Sequence, residues 1–204
     1  MYTPELFKVE DLDSIYEIIE ENSFAILTSQ NGEEISVTHL PLILDREKQI
    51  LIGHFALQNN HPQEIQNGKV LVIFTGPHCY ISPSWYETKN AVPTWNYIAV
   101  HIHGTLKILE DKSDLLQGLQ KLVSKFEPNA ENFSLSEVNS ETLNRLSSGI
   151  VGFRIQIEKM EAKFKLSQNH SIERQNLVAN QLSKMPRDQE KAISEFMKRR
   201  LGVK

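Results

Sequence analysis

The stretch from Gly76 to Gly104 reads GPHCYISPSWYETKNAVPTWNYIAVHIHG and gathers most of the unusual residues of the chain. It contains both tryptophans, three of the five tyrosines and the single cysteine. Pro77, Pro83 and Pro93 fix φ and lack a backbone donor, so this stretch cannot form one long helix. Aromatic rings with a polar tip suit places where one end is buried and the other meets water or a ligand. The stretch therefore predicts either a site for a flat aromatic ligand or an aromatic-rich core loop.

Short apolar segments precede this stretch and predict strands. Phe24–Gln30 is followed by Asn31-Gly32, and both of these residues tolerate the positive φ of a tight hairpin turn. The return strand covers about Glu34–Leu44 and has an edge or a break at Pro41, which cannot donate to a ladder. Ile50–Ala56 is a third strand. These three segments predict an antiparallel meander.

Further strands lie before, within and after the aromatic stretch. Val70–Phe74 is an apolar strand of buried type, and Tyr97–Leu109 is a long strand in which Gly104 predicts a bulge or bend. Val151–Glu158 alternates between apolar and polar residues, as a half-buried strand does. Six or so strands with closely spaced turns predict a mainly antiparallel sheet that closes on itself as a barrel, with peripheral helices.

Helical spacing of apolar residues and cap signals predict the helices, at Asp11–Asn22, from Asn60 to about Ile65, Leu115–Phe126, Ser140–Ser147, Ile172–Lys184 and Arg187–Leu201. Strands give way to helices near Ser171. We therefore expect a barrel domain over residues 1–170 and a helical C-terminal extension over residues 171–204. The extension contains eight cationic side chains against four carboxylates. Such an excess indicates either contacts with DNA phosphates or a solvated helix with cations at its C-terminus; no helix-turn-helix pattern is evident.

Composition narrows the class of protein. The chain has 204 residues, 40% of them hydrophobic, which is enough for one large domain or a domain with an appendage. Its net charge of −4 argues against a surface covered with nucleic-acid-binding charge. A single cysteine excludes an internal disulfide and a cysteine-based zinc site, and it fits the cytoplasm. We expect no signal peptide and no membrane span.

Two histidine and cysteine arrangements carry no clear chemistry. His101 and His103 fall on one face of a strand and form a workable metal pair, but no carboxylate lies at a telling spacing, so we predict no metal site. Cys79 has histidine neighbours without an identifiable base and orienting partner. A small buried thiol is the favoured interpretation, and we assign no catalytic residue.

Two other segments predict anion binding. The segment from Lys163 to Asn169 concentrates two cations and three polar side chains, which can hold a phosphate and bond the edge of a heterocycle. A solvated strand end is the alternative. The helix start at Asn60-His61-Pro62 is a second candidate, because backbone N–H groups point outward there.

Six motifs stand in an order that resembles the PaiB-like family: HLPL (39–42), GHFA (53–56), GPHCYISPSWY (76–86), VPTWNY (92–97), GIVGF (149–153) and KLSQN (165–169). The resemblance covers residues 1–169. It implies a six-stranded antiparallel split β-barrel of the FMN-binding type, similar to pyridoxamine-phosphate oxidases and flavin reductases. It also implies a homodimer with FMN in the groove between subunits. Founding members are described as negative transcriptional regulators of sporulation and protease-production genes.

One departure concerns the segment after GHFA. The family there usually has Asn-Pro, a polar residue and Trp, whereas this chain has Asn59-Asn60-His61-Pro62 and no tryptophan. Related barrels place this region close to the flavin, so an FMN-loaded site and an empty site both stand as alternatives.

The resemblance, together with the chemistry of FMN, predicts a set of cofactor-binding residues: His39, His54, Asn60, His61, Trp95, Asn96, Lys165, Gln168 and Asn169. Lys165, His54, His61 and the backbone at residues 60–62 are expected at the phosphate, because it needs cations or helix-start amides. The three amides Asn96, Gln168 and Asn169 are expected at the ring edge, and Trp95 at the ring face. We therefore expect Trp95 and Asn96 to meet the segment from Lys165 to Asn169 in one cleft.

Three functions follow from the resemblance. The first is a flavin-binding transcriptional regulator that contacts DNA through its basic C-terminal helices. The second is a flavin-dependent oxidoreductase of the flavin-reductase or pyridoxamine-phosphate-oxidase type. The third, less favoured, is a haem-binding split-barrel protein.

Overall fold

The computed structural model describes residues 1–65, 68–127, 135 and 138–202. Its sheet has eight strands: β1 (Lys8–Val9), β2 (Phe24–Asn31), β3 (Glu34–Pro41), β4 (Ile43–Asp45), β5 (Ile50–Ala56), β6 (Lys69–Ile81), β7 (Thr94–Ile108) and β8 (Ile150–Lys165). Six α-helices accompany it within these residues: α1 (Leu12–Glu21), α2 (His61–Glu64), α3 (Lys112–Phe126), α4 (Ser140–Ser147), α5 (Ile172–Leu182) and α6 (Asp188–Leu201). None of the helices described is both long and apolar enough to cross a bilayer.

The strand order corrects two predictions. The strands pair in the order β3-β2-β6-β7-β8-β5-β4, and β1 pairs with β8. The predicted meander is wrong, because β3 pairs with β2 whereas β4 pairs with β5. Pro41 has no N–H to continue its ladder, and the N–H of Leu42 donates to the Ser23 carbonyl at 2.8 Å, so the chain changes partners there. The predicted count of six strands is also imprecise: there are eight, and the order is open at β3 and β4.

The chain forms two compact units. The first contains Met1–Ile18, Thr75–Val100 and Glu161–Lys204, and the second contains Ile19–Phe74 and His101–Met160. The helices α5 and α6 belong to the first unit. A separate helical extension beginning at residue 171 stays a prediction.

In the first unit, β1 pairs with the end of β8, so that Lys8 lies opposite Lys163 and Val9 opposite Ala162. The helix α5 begins after Ser171, whose hydroxyl accepts a hydrogen bond from the backbone N–H of Arg174. Buried residues of α5 and α6 form the helical part of the core: Val178, Ala179, Leu182, Ile193 and Met197. This packing fixes the segment between β8 and α5 at both of its ends.

In the second unit, β2 and β3 form a hairpin and β5 pairs with β8. The last hairpin pair joins Asn31 to Glu34, so the turn consists of Gly32 and Glu33, one residue later than predicted. Gly32 has a φ of 61°, which suits a residue without Cβ. The rings of Phe55 and Phe153, 4.6 Å apart, pack in the core of this unit.

Gly104 does not interrupt its strand, contrary to the predicted bulge or bend. The strand β7 runs from Thr94 to Ile108, and a Cβ at Gly104 would lie 2.7 Å from Ile155 Cγ2 and would also meet the Gln156 carbonyl oxygen. Close approach between strands explains this glycine. In addition, β6 extends to Ile81, so the first part of the aromatic stretch is strand rather than loop.

Candidate functional site

Lys165 anchors a group of cationic side chains in the first unit. It ends β8, and its ammonium donates to the Trp95 carbonyl at 2.6 Å and to the Thr94 hydroxyl. An ammonium has three donors, so one remains for a ligand. Burial lowers the pKa of Lys165, and the charge of Lys163 lowers this pKa further. No carboxylate within the described part of the chain forms a salt bridge with it.

Arg174 and the basic side chain of His170 extend this group. Burial lowers the pKa of His170, and the charges of Arg174 and then Lys165 lower this pKa further. The imidazole stacks on Tyr86, with ring centroids 3.9 Å apart and planes 23° apart, which fixes its orientation. Positive charges that repel one another in a half-buried place are stabilised by a bound anion. We call Lys165, His170 and Arg174 the cation cluster.

A buried hydrogen-bond network supports the turn that carries this cluster. Ser167 Oγ lies 2.7 Å from Tyr86 Oη and accepts from Asn96 Nδ2 at 3.0 Å. These three residues are exposed by only 2%, 1% and 0%, respectively. Ser167 has a φ of 66°, in the left-handed region that non-glycine residues seldom adopt. The network therefore holds a sharp turn immediately after β8.

Gln168 closes the same turn from within. Its Oε1 accepts from the Leu166 backbone N–H at 2.6 Å, and its Nε2 donates to the Phe164 carbonyl. The amide groups of Gln168 and Asn96 are thus engaged by the protein itself. Asn169 is exposed, so it is the one of the three predicted ring-edge amides that faces solvent.

Trp95 offers an exposed aromatic surface in the same unit. Its side chain is 53% exposed, and its ring lies 6.2 Å from Tyr80 and 6.5 Å from His78. The backbone of the same residue accepts the hydrogen bond from Lys165. Trp95 and Asn96 thus contact the segment from Lys165 to Asn169, as expected, while a shared cleft stays a prediction. The roles of these residues toward a cofactor stay predictions.

His61 lies in the second unit and is 3% exposed. Its Nε2 is 2.9 Å from Ser29 Oγ and its Nδ1 is 2.8 Å from Thr38 Oγ1, so both ring nitrogens have protein partners. Its backbone N–H donates to Asn59 Oδ1 at 2.9 Å. Burial lowers the pKa of His61, whereas the charge of Glu64 partly raises this pKa. These contacts leave His61 no donor for a phosphate.

The other predicted residues of the second unit are dispersed. Asn60 is exposed before α2 and makes no side-chain cap bond, while Pro62 has no N–H to offer. His54 lies beside the leucines of α3, and burial lowers its pKa. The ring of His39 is exposed on β3 and stacks with Phe24 at 6.2 Å. The nine predicted residues thus divide into five in the first unit and four in the second.

Two basic residues of this site were not predicted from the sequence. His170 directly follows KLSQN but received no role, and Arg174 was counted only as part of the basic tail. Cys79 is 4% exposed, and burial followed by the charge of Glu190 raises its pKa to about 12, so it is a buried protonated thiol. Within the described residues, no three His, Cys, Asp or Glu side chains are grouped to hold a metal ion.

Comparisons with known proteins agree with this geometry. The family model described as "Putative FMN-binding domain" matches residues 1–159. The chain is 38% identical to the Bacillus subtilis protein named "Protease synthase and sporulation protein PAI 2", over 206 residues and 98% of each chain. The chain belongs to the PaiB-like family. The predicted family is therefore confirmed.

Solved structures show the fold of this PaiB-like protein. The FAD and heme binding protein from Mycobacterium smegmatis matches with a TM-score of 0.61 and 12% identity, over 78% of this chain and 73% of that chain. The flavocytochrome Anf3 from Azotobacter vinelandii also matches with a TM-score of 0.61 and 12% identity, over 78% and 69%. The fold is a mainly antiparallel split barrel with peripheral helices, as predicted.

Flavin is the cofactor that family membership indicates. The residues of the first unit fit two parts of FMN: the cation cluster suits a phosphate, and the exposed Trp95 ring suits a flat heterocycle. The amides of Asn96 and Gln168 do not fit the predicted contact with the ring edge, because their partners are protein atoms.

Proposed function

We propose that this protein is a PaiB-like transcriptional regulator that binds FMN at the cation cluster of its first unit. The observation that carries the proposal is the bond from the Lys165 ammonium to the Trp95 carbonyl. This bond ties the ammonium to the backbone of Trp95, the residue that carries the exposed indole. A phosphate monoester carries roughly two negative charges at neutral pH, which such a cluster can balance.

Each residue has a defined part in this proposal. Lys165 provides its remaining ammonium proton, and Arg174 provides a guanidinium, to the phosphate oxygens. A nearby phosphate raises the pKa of His170, so that its imidazole gains a proton and becomes a further donor. Trp95 supplies the surface for the ring, and Asn169 supplies an amide for its edge. FMN, when bound, supplies an electron-accepting ring.

The test is a comparison of two ligands. Lys165→Ala is expected to weaken FMN by about ten- to a hundredfold, because a charge-assisted bond contributes about 1.5–3 kcal/mol. Riboflavin, which has no phosphate, should lose less than about threefold. Lys191→Ala, an exposed change on α6, is the control. Titrations followed by flavin fluorescence give both affinities, and equal weakening of the two ligands would contradict the assignment.

Regulation is supported by the B. subtilis relative, whose name links it to protease synthesis and sporulation. The basic residues of α5, of α6 and of the loop between them are the surface we propose for DNA. Arg199 is already paired with Glu17 at 2.6 Å, so exposed cations such as Lys184 and Lys191 are the better candidates. Gel shifts across salt concentrations should show log-linear weakening with salt, and binding that ignores salt would contradict phosphate contacts.

An oxidoreductase is the second candidate. Tyr80 is 46% exposed beside Trp95, which leaves an aromatic surface wider than a single indole. Such a surface can accept a second planar molecule. Oxidation of NADH or NADPH by the FMN-loaded protein would favour the enzyme. The reaction is followed as a loss of absorbance at roughly 340 nm, where the reduced nicotinamide absorbs. An absorbance spectrum typical of haem in the purified protein would favour the third function.

We also propose a homodimer. The β2–β3 hairpin of the second unit exposes Phe24 (68%), Ile35 (72%) and Val37 (54%). Ile35 and Val37 are two residues apart and share one face of β3. Monomers seldom expose contiguous apolar patches of this kind. Light scattering at micromolar concentration should give twice the chain mass, and a monomer mass would contradict the proposal.

The unpaired Cys79 fits a reducing compartment, so the cytoplasm is the proposed location.

A further inference from the structure

A groove of about 350 Å³ lies in the first unit, formed by α1, the end of β8 and α6. Its apolar lining includes Phe164 and Leu166, which are 8% and 1% exposed. The Phe196 ring stands nearly perpendicular to that of Phe164, with centroids 6.0 Å apart. Small-molecule sites usually have volumes of about 300–1,000 Å³ and mostly apolar linings. The groove is thus of a size for a compact aromatic ligand.

Charged side chains at the rim give the groove its polarity. Arg199 and Arg200 line it, and Glu17 is the only carboxylate among its lining residues that the structure describes. Arg199 donates to Glu17 Oε1 at 2.6 Å and lies over the Phe196 ring, 4.4 Å from its centroid. The Glu17 charge therefore balances Arg199, and the lining keeps one net positive charge.

Arg200 provides that positive charge. Its Nη1 donates to Gln175 Oε1 at 3.1 Å, which fixes the guanidinium against a nearly buried amide. A guanidinium has five N–H donors in a planar fork, so donors suited to a carboxylate remain. The lining combines aromatic rings, one balanced cation and one cation without a carboxylate partner among the described residues.

The groove differs from the cation cluster in its position on β8. Side chains alternate along a strand, so Phe164 points to the face opposite Lys163 and Lys165. The groove is lined by Phe164, whereas the cation cluster contains Lys165. A ligand in the groove would therefore contact the same strand end as the proposed flavin phosphate, from its other face.

We propose that this groove is a second binding site, for a small aromatic monocarboxylate. The ring packs against the apolar lining that Phe164, Leu166 and Phe196 form, and the carboxylate binds the Arg200 guanidinium. One negative charge matches the one net positive charge of the lining. The proposal does not rest on FMN binding, because its ligand contacts different side chains; Gln175, which holds Arg200, also donates to the His170 carbonyl at 2.7 Å.

The test uses 2-naphthoate and its neutral analogue 2-naphthylmethanol, titrated calorimetrically into the full chain. Naphthoate should bind at least about tenfold more tightly than the alcohol, as expected for one charge-assisted contact. Arg200→Gln should weaken naphthoate by about tenfold, while Arg187→Gln, the same change at the other end of α6, should leave it unaltered. Melting temperatures of both variants show whether the fold is retained.

Glu17→Gln provides the sharper test, because it removes the charge that balances Arg199. Naphthoate should then bind several-fold more tightly, whereas a purely structural role of the Glu17–Arg199 pair predicts weaker binding or none. Equal affinities for the acid and the alcohol, or no response to either the Arg200 or the Glu17 change, would overturn the proposal. Flavin titration of the same variants separates this outcome from failure of the flavin site, since their FMN affinity should equal that of the unmodified chain.

Discussion

Ser167→Ala is expected to destabilise the protein substantially, because Ser167 is the centre of a buried network. Its hydroxyl is 2.7 Å from Tyr86 Oη and 3.0 Å from Asn96 Nδ2, and alanine leaves both partners without it. Each buried polar group left unsatisfied costs about 1–3 kcal/mol. Asn96 retains a 3.6 Å contact with Met197 Sδ, so we expect a total of about 3 kcal/mol rather than the sum of two full penalties.

Chemical and thermal unfolding measure this effect. For a chain of this length, 1 kcal/mol corresponds to about 2–4 °C, so the melting temperature should fall by about 6–12 °C. Ser148→Ala is the control: it is the same substitution at the surface, where the Ser148 hydroxyl donates to the Arg145 carbonyl at 2.8 Å. The control should change the free energy of unfolding by less than about 0.5 kcal/mol.

A double-mutant cycle with Tyr86→Phe tests the reasoning itself. If the two hydroxyls depend on each other, removing both should cost about 1 kcal/mol less than the sum of the single changes. Additive costs would show that the 2.7 Å contact contributes no coupling. A cost below about 0.5 kcal/mol for Ser167→Ala alone would show that the network does not hold the turn.

Two other changes test the close packing and the buried histidine. Gly104→Ala places a Cβ 2.7 Å from Ile155 Cγ2 and against a backbone carbonyl, so it should cost at least about 1–3 kcal/mol by urea unfolding. Gly149→Ala, whose Cβ would lie 3.4 Å from its nearest neighbour, should cost clearly less, and equal costs would contradict the close approach. Between about pH 8 and about pH 5.5, the melting temperature of His61→Gln should fall less than that of the unmodified chain. This range spans the ordinary pKa of histidine. Burial lowers the pKa of His61 in the folded protein. The stability that neutral His61 contributes is therefore complete above the unfolded pKa of about 6.5 and is lost as the pH falls through the folded pKa. An unchanged pH dependence in the variant would contradict this.

Local patterns predicted the elements well and their pairing poorly. The helix predicted at Ile172–Lys184 is observed at Ile172–Leu182, because apolar periodicity and a serine cap act within one segment. The change of ladder at Leu42 was not predicted, because the proline shows where a ladder ends but not which strand the chain joins next. Pairing between distant strands depends on surfaces that no single segment contains.

In the candidate site, too, one kind of contact could be predicted from the sequence and another could not. The contact between Lys165 and Trp95 was expected because both belong to motifs shared with one family. His61 was chosen as a cation for a phosphate, yet its ring nitrogens bond Ser29 and Thr38, which lie far away in sequence. Such buried partners cannot be inferred from the residue types next to a histidine, because serine and threonine are common throughout the chain.

The composition of the first unit has a consequence for synthesis on the ribosome. Its segments are Met1–Ile18, Thr75–Val100 and Glu161–Lys204, so β1 pairs with residues made more than a hundred positions later. At about 5–20 residues per second, the first segment waits about 7–30 s before its partner strand emerges. Contacts of such sequence separation also form slowly. During that interval β1 has no partner strand and Glu17 has no Arg199 to pair with, so these contacts of the first unit form only after the last segment has been made.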